Sequence, residues 1–170
     1  VLMSLYVKED ADNFRTAINS MINQTIPPEE IVLVEDGPLT DALYSVISEI
    51  KDSHPGLITS IIHEKNQGLG PALQHGLEAA RNEIVARMDT DDIAVLDRCE
   101  KQLNFMITHP DVTIVGGQIE EFIDEVTNVV GKREVPTSDS ELKEFLKKRC
   151  PFNHMTVMFR KSDIMEVGNY

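Results

Sequence analysis

The sequence predicts an α/β fold in which a mostly parallel central sheet is flanked by helices. Three observations carry this. Short runs rich in Ile and Val alternate with longer stretches whose apolar residues recur at helical spacing. Capping residues and Pro or Gly breakers separate the two kinds of segment. One apolar run, Ile84, Val85, Ala86 and Met88, leads directly into three carboxylates, Asp89, Asp91 and Asp92. Strands alternating with helices fold as parallel strands joined by right-handed crossovers. A buried parallel strand that ends in acids places them at the carboxyl edge of the sheet, where open α/β sheets bind ligands.

The elements follow in order. Val1 to Val7 reads as the first strand, and Asp10 or Asp12 caps a helix with Phe14, Ala17, Ile18, Met21 and Ile22 on one face. Pro27 and Pro28 end that segment. Ile31 to Val34 is a second strand that closes on the turn signal Glu35-Asp36-Gly37-Pro38. Thr40 caps a helix with Leu43, Val46, Ile47 and Ile50 inward, and Leu57 to Ile62 is a third strand. A Gly-rich loop, Lys65 to Gly70, precedes Pro71, which suits a first helical turn, and Leu73, Gly76, Leu77 and Ala80 continue that helix into the strand at Glu83. Asp97 opens a helix through Cys99, Leu103, Met106 and Ile107, and Val112 to Val115 is a further strand. Ile119 to Ile123 and Val129 to Lys132 pair as strands around a turn near Asn128. Ser138 caps a helix with Leu142, Phe145 and Leu146, while Met155, Val157 and Phe159 alternate as a strand. Ser162 to Val167 is a short helix stopped by Gly168.

At 170 residues, with 41% hydrophobic and 26% charged residues, the chain suits one soluble domain with a real core. A net charge of -13 opposes nucleic acid and anionic lipid as direct partners. The same charge repels a nucleotide diphosphate unless a cation intervenes. Cys99 and Cys150 lack CxxC spacing and read as free thiols in a reducing compartment. No signal peptide is present, nor an apolar run near the ~20 residues needed to span a bilayer. The chain opens at Val1 within a strand pattern and closes at Tyr170 without a tail, which reads as a piece of a longer protein.

A parallel sheet brings four loops to one edge: Tyr6 to Glu9, Asp36, Lys65 to Gly70, and Asp89 to Asp92. Carboxylates two residues apart can share a hard cation, since Mg²⁺ takes one or two carboxylates and completes its shell with water and phosphate. Asp36 can accept from a base N–H, and Tyr6 can pack on the ring. Gly68 and Gly70 permit close backbone approach to phosphate beside a helix N-terminus. Taken singly, Asp36-Gly37 also reads as a plain turn, Tyr6 as a half-buried strand aromatic, and the glycines as loop flexibility. A dinucleotide fingerprint fits less well: Leu73 stands where its third small residue belongs. An EF-hand lacks its Gly and distal Glu, and the first strand ends without the nucleophilic Asp of an aspartyl phosphatase.

Ser4-Leu5-Tyr6-Val7-Lys8-Glu9, Asn23-Gln24-Thr25, Val34-Glu35-Asp36-Gly37, Asn66-Gln67-Gly68-Leu69-Gly70, Asp89-Thr90-Asp91-Asp92 and Arg98-Cys99-Glu100-Lys101-Gln102 occur in that order. The ordered set, with Pro151 to Val157 beyond it, resembles family 2 glycosyltransferases of the bacterial polysaccharide-building kind. The resemblance implies a GT-A nucleotide-diphospho-sugar transferase fold, with its Rossmann-like sheet, over residues 1–170. It implies a nucleotide-sugar donor, usually a UDP-sugar, a Mg²⁺ or Mn²⁺ ion, and inverting transfer to a glycan or lipid-linked acceptor. By similarity Ser4, Tyr6 and Asp36 line the uridine site with Glu9 near it, and Asn66 and Gly68 belong to the nucleotide-binding set. Asp89 lies by ribose and metal, and Asp91 is the main metal ligand. The general base of such enzymes falls past a Gly-x-Tyr-like segment, which here is Gly168-Asn169-Tyr170, so it is expected after Tyr170. Val7 replaces the usual Asn and Pro38 the usual Ser. His154 fits a donor contact, an acceptor contact or a structural role beside a strand. The expected location is the cytoplasm, including the inner face of the cell membrane, with any membrane association left to segments beyond these residues. Two other functions share these features: a nucleotide-sugar-binding module without transfer, and a nucleotidyltransferase, although the latter normally carries a Gly-rich first loop.

Overall fold

A computed structural model describes residues 1–170. Strands β1 (Leu2–Leu5), β2 (Ile31–Glu35) and β3 (Ile58–Ile62) pair in parallel, in the order β1-β2-β3, with Leu2 opposite Val32 and Ile31 opposite Ile58. A parallel bridge between Leu2 and Arg87, with Met88 N–H donating to the Leu2 carbonyl at 3.1 Å, ties β1 to the end of β4 (Ile84–Ala86). Beyond β4 the sheet turns antiparallel. The strand Met158–Arg160 inserts between β4 and Ile114–Val115 and pairs with both. In chain order Ile114–Val115 is β5, the hairpin Ile119–Phe122 and Val129–Arg133 supplies β6 and β7, and Met158–Arg160 is β8.

Helices connect the parallel strands: α1 (Ala11–Ile22), α2 (Asp41–Ser53) and α3 (Leu69–Ala79), followed by α4 (Arg98–Thr108), α5 (Asp139–Leu146) and α6 (Lys161–Glu166). The caps read from sequence are in place. The Asp10 carboxylate accepts from Asp12 and Asn13 N–H, Thr40 from Leu43 N–H, and Ser138 from Glu141 N–H. Asp97 stands at the N-cap of α4 without making such a bond, and its carboxylate instead meets Lys101 Nζ at 2.7 Å.

Every residue of β2 is buried, which explains its unbroken apolar reading. Met3, Leu5, Ile31 and Leu33 face α1 and α2, and Leu2, Val32 and Val34 face α3 and Phe159. No helix is long and apolar enough to cross a membrane.

Two expectations need correction. The first strand stops at Leu5, because Tyr6 turns back to accept from Glu9 N–H. Met155 lies in a single 3-10 turn, His154–Thr156, and the paired strand begins only at Met158. On α5 the stripe Leu142, Phe145, Leu146 has no buried member.

Two buried contacts fix how α3 and β4 attach to the sheet. A Cβ on Gly76 would stand 2.4 Å from Leu2 Cδ1 and 2.7 Å from Val34 Cγ2, so only glycine lets α3 lie this close. Glu30, just before β2, is 3% exposed and accepts from Thr59 Oγ1, Arg81 N–H and Arg81 Nε at 2.8, 3.0 and 2.9 Å. Burial pushes its carboxyl up, but these donors and the Arg81 charge outweigh burial and hold it below the usual range.

Gly76→Val should destabilise the fold by about 3 kcal/mol through overpacking, read by urea unfolding. Glu30→Gln should cost about 2 kcal/mol at pH 7. A depressed carboxyl stabilises the fold at neutral pH and loses that contribution as pH falls through its folded value. The gap between Glu30→Gln and the unchanged protein should therefore close below about pH 4.

Candidate functional site

The carboxyl ends of β1, β2, β3 and β4 run out in Tyr6, Asp36, His63 and Arg87. Between them lies a cavity of about 370 Å³ lined by Ser4, Tyr6, Glu9, Asp36, Asn66, Gly68, Leu69, Arg87, Asp89, Thr90 and Asp91. The eight residues that the resemblance assigns to nucleotide or metal, Ser4, Tyr6, Glu9, Asp36, Asn66, Gly68, Asp89 and Asp91, stand in this one lining, whereas Gly70, Asp92 and His154 do not. A larger hollow of about 600 Å³ opens at the amino ends of β2 and β3, among Pro27, Pro28, His54 and Pro55. Its only ionisable side chains are Glu29 and His54, so the chemistry lies in the smaller cavity.

Asp36 anchors one side. Its Oδ1 accepts from His63 Nδ1 and Gln67 N–H, both at 2.8 Å, and its Oδ2 from Gly68 N–H at 2.9 Å. Its main-chain carbonyl accepts from Asn66 Nδ2 at 3.2 Å. Burial pushes the Asp36 carboxyl up, but the Gln67, His63 and Gly68 donors outweigh burial and hold it below the usual range. The loop can sit this close because Gly37 has φ +92° and no side chain. A Cβ there would meet Asn66 N at 2.7 Å. The sequence reading left the Gly68 N–H free for phosphate. In the structure Asp36 takes it, so what Gly68 brings to the cavity is its backbone surface at the N-cap of α3.

The acidic tip forms the other side. Asp89 and Asp91 line the cavity, while Asp92 stands beside them. Burial and the charges of Asp91 and Asp89 push the Asp92 carboxyl up to about 6, against the pull of Arg87 and Arg98. Glu9 is raised in the same way by burial, Asp91 and Asp89, with Thr90 opposing. Four carboxylates therefore repel one another across a small space.

Two guanidinium groups behind the tip were not legible as site residues. Arg87 is 1% exposed; its Nη1 donates to the Met88 carbonyl and its Nη2 pairs with Asp89, while its Nε has no partner. Arg98, at the start of α4, donates through Nη2 to the carbonyls of Arg87 at 2.6 Å and Val157 at 3.3 Å. Burial pushes Arg98 down to about 10. The signal for Arg87 was a cation inside an otherwise apolar strand run, which is costly unless it is paired.

No three His, Cys, Asp or Glu side chains converge tightly enough to hold an ion by themselves. The cavity lining carries four carboxylates, Glu9, Asp36, Asp89 and Asp91; Asp36 is engaged by N–H donors, which leaves Asp89 and Asp91 of the tip as a hard, anionic donor pair. That suits a divalent cation completed by water and phosphate rather than an all-protein cage.

Comparison with known proteins places this geometry. The family model described as Glycosyl transferase family 2 matches residues 1–166. An uncharacterized glycosyltransferase of Haemophilus influenzae is 46% identical over the whole chain, which spans 63% of that protein. The Escherichia coli UDP-Gal:alpha-D-GlcNAc-diphosphoundecaprenol beta-1,3-galactosyltransferase is 38% identical over the whole chain, which spans 61% of it. The chain thus covers about three fifths of the relatives it matches. A mannosyltransferase from Pyrobaculum calidifontis, solved with GDP-Man and Mn²⁺, superposes with a TM-score of 0.69 at 17% identity, over 99% of this chain and 46% of its own. That similarity shows the shared GT-A fold. On the family match across 1–166 and the full-length similarity to these relatives, the chain belongs to glycosyl transferase family 2.

Proposed function

We propose that this domain binds a UDP-sugar together with Mg²⁺ or Mn²⁺, and that the whole protein transfers the sugar to a glycan or lipid-linked acceptor with inversion. One observation carries the reading. A buried carboxylate held by N–H donors, Asp36, and the acidic tip, Asp89 and Asp91, whose charges push up the neighbouring Asp92, line one cavity. Such a cavity admits an anionic diphosphate only with a cation between the two sets of oxygens. The donor class in the name of the E. coli relative and the Mn²⁺ in the P. calidifontis structure support the same assignment.

In this reading Ser4 and Tyr6 flank the uridine, and Tyr6, 38% exposed, offers its ring face. Asp36 uses three of its roughly four accepting positions within the protein, which leaves one for a base N–H. Asn66 and Gly68 shape the wall beside it, and Glu9 lies between the uridine side and the tip. Asp91 ligates the cation, and Asp89, oriented by Arg87, sits by the ribose and shares that ion. The bound ion would neutralise the departing diphosphate. We assign deprotonation of the acceptor hydroxyl to a carboxylate beyond Tyr170. If the acceptor is lipid-linked, the protein works at the inner face of the cell membrane.

Calorimetric titration with UDP should give saturable heats with Mn²⁺ present and lose them in chelator. Equal heats in both would remove the cation from the site. Asp91→Ala should weaken Mn²⁺-dependent UDP binding by more than about tenfold, a loss that even outer-shell changes reach. Tight binding by that variant would move the site elsewhere.

A further inference from the structure

Behind Asp36 lies a second layer, a buried and a half-buried histidine, that the donor-binding reading does not use. His63, at the end of β3, is 7% exposed and presents Nδ1 to Asp36 Oδ1 at 2.8 Å. Its Nε2 lies 2.9 Å from Nδ1 of His75, which projects from α3. The two rings meet edge to face, with centroids 5.0 Å apart and an interplanar angle of 87°. His63 is fixed from its backbone as well, since its N–H donates to the Glu35 carbonyl at 3.0 Å.

The direction of this chain follows from what each atom can do. An ionised carboxylate only accepts, so His63 Nδ1 carries a proton. Neutral His63 accepts at Nε2 from His75 Nδ1, and protonated His63 donates from Nε2 to it; in both states Nδ1 donates to Asp36. Together with Gln67 and Gly68 N–H, this bond holds the Asp36 carboxylate ionised and against rotation, with one accepting position left on Oδ2.

We propose that His63, propped by His75, is a specificity-positioning residue. By holding Asp36 as an acceptor, it selects a base whose ring edge donates an N–H, as uracil does, over cytosine, whose N3 is itself an acceptor. The proposal rests on the reading that Asp36 meets the base. Without the Nδ1 donor, the buried carboxylate loses one of three internal bonds, is free to turn, and takes up a proton more readily. A protonated Asp36 offers both a donor and an acceptor, so it accommodates either base edge.

The test compares UDP and CDP affinity by calorimetry with Mn²⁺ present. A lost charge-assisted bond corresponds to roughly 10- to 100-fold in affinity. The unchanged chain should prefer UDP by that order. His63→Leu should bind UDP about tenfold more weakly and bring the UDP/CDP ratio towards one. His63→Asn, whose side-chain N–H can take the Nδ1 position, should recover most of the ratio. A merely structural role would weaken both nucleotides together and leave the ratio alone. Nitrogen NMR of the unchanged protein should find the proton of His63 on Nδ1. The proposal is overturned if His63 carries its proton on Nε2 alone, if His63→Leu keeps the full ratio, or if His63→Asn is as poor as His63→Leu. Asp36→Asn separates the two ideas. If it collapses the ratio while His63→Leu does not, only the histidine layer is wrong; if neither variant moves the ratio, Asp36 does not meet the base.

Discussion

A buried guanidinium sits where the two halves of this sheet join. Arg87 is 1% exposed, so its charge depends on partners within the protein, although its Nε has none. Its partners are the Met88 carbonyl, the Leu2 carbonyl at 3.5 Å and the Asp89 carboxylate. The same residues form the bridge by which β1 reaches the end of β4. The side chain and the backbone bridge thus meet at the junction between the parallel strands and the antiparallel extension, where the acidic tip leaves the sheet. Arg98 reinforces it by capping the Arg87 carbonyl. Removing either charge would leave aspartates facing one another with less to offset them.

The opposite wall follows a different rule. Asp36 is anionic and buried, and its counterpart is a ring of N–H donors rather than a formal cation. Hydrogen bonds to the charged form keep a carboxylate ionised even where burial opposes it. They also recruit the loop from Lys65 to Gly70 into the site, since two of the donors are its own backbone. The positive φ of Gly37 is the steric condition for that closure. The cavity is therefore bounded by one carboxylate whose charge is satisfied internally and by a cluster whose charge is not. In the proposed function that asymmetry assigns the two ends different ligands: a neutral N–H donor at one, and a hard cation at the other.

The net charge of -13 acts in the same direction. A protein of this charge disfavours polyanions over its general surface. In the proposed function, anion binding in the cavity is conditional on an ion that bridges it.

The alternation of strand and helix, the caps at Asp10, Thr40 and Ser138, the turn at Asp36-Gly37 and the acidic tip were all written in the sequence, because each depends on a few neighbouring residues and on backbone geometry. The family resemblance extended that local reading to a set of cavity residues. Tertiary structure alone decided the rest. The short β8 carries no local mark of its partners, yet it inserts antiparallel between β4 and β5. The N–H of Gly68 looked available for phosphate until Asp36, 32 residues away, took it. Arg87 within its apolar run, and His63 and His75, 12 residues apart, drew no reading from sequence; packing put them under the site. Periodicity and caps are set along the chain, whereas the partner of a buried polar atom is set by whatever the fold brings within three ångströms of it.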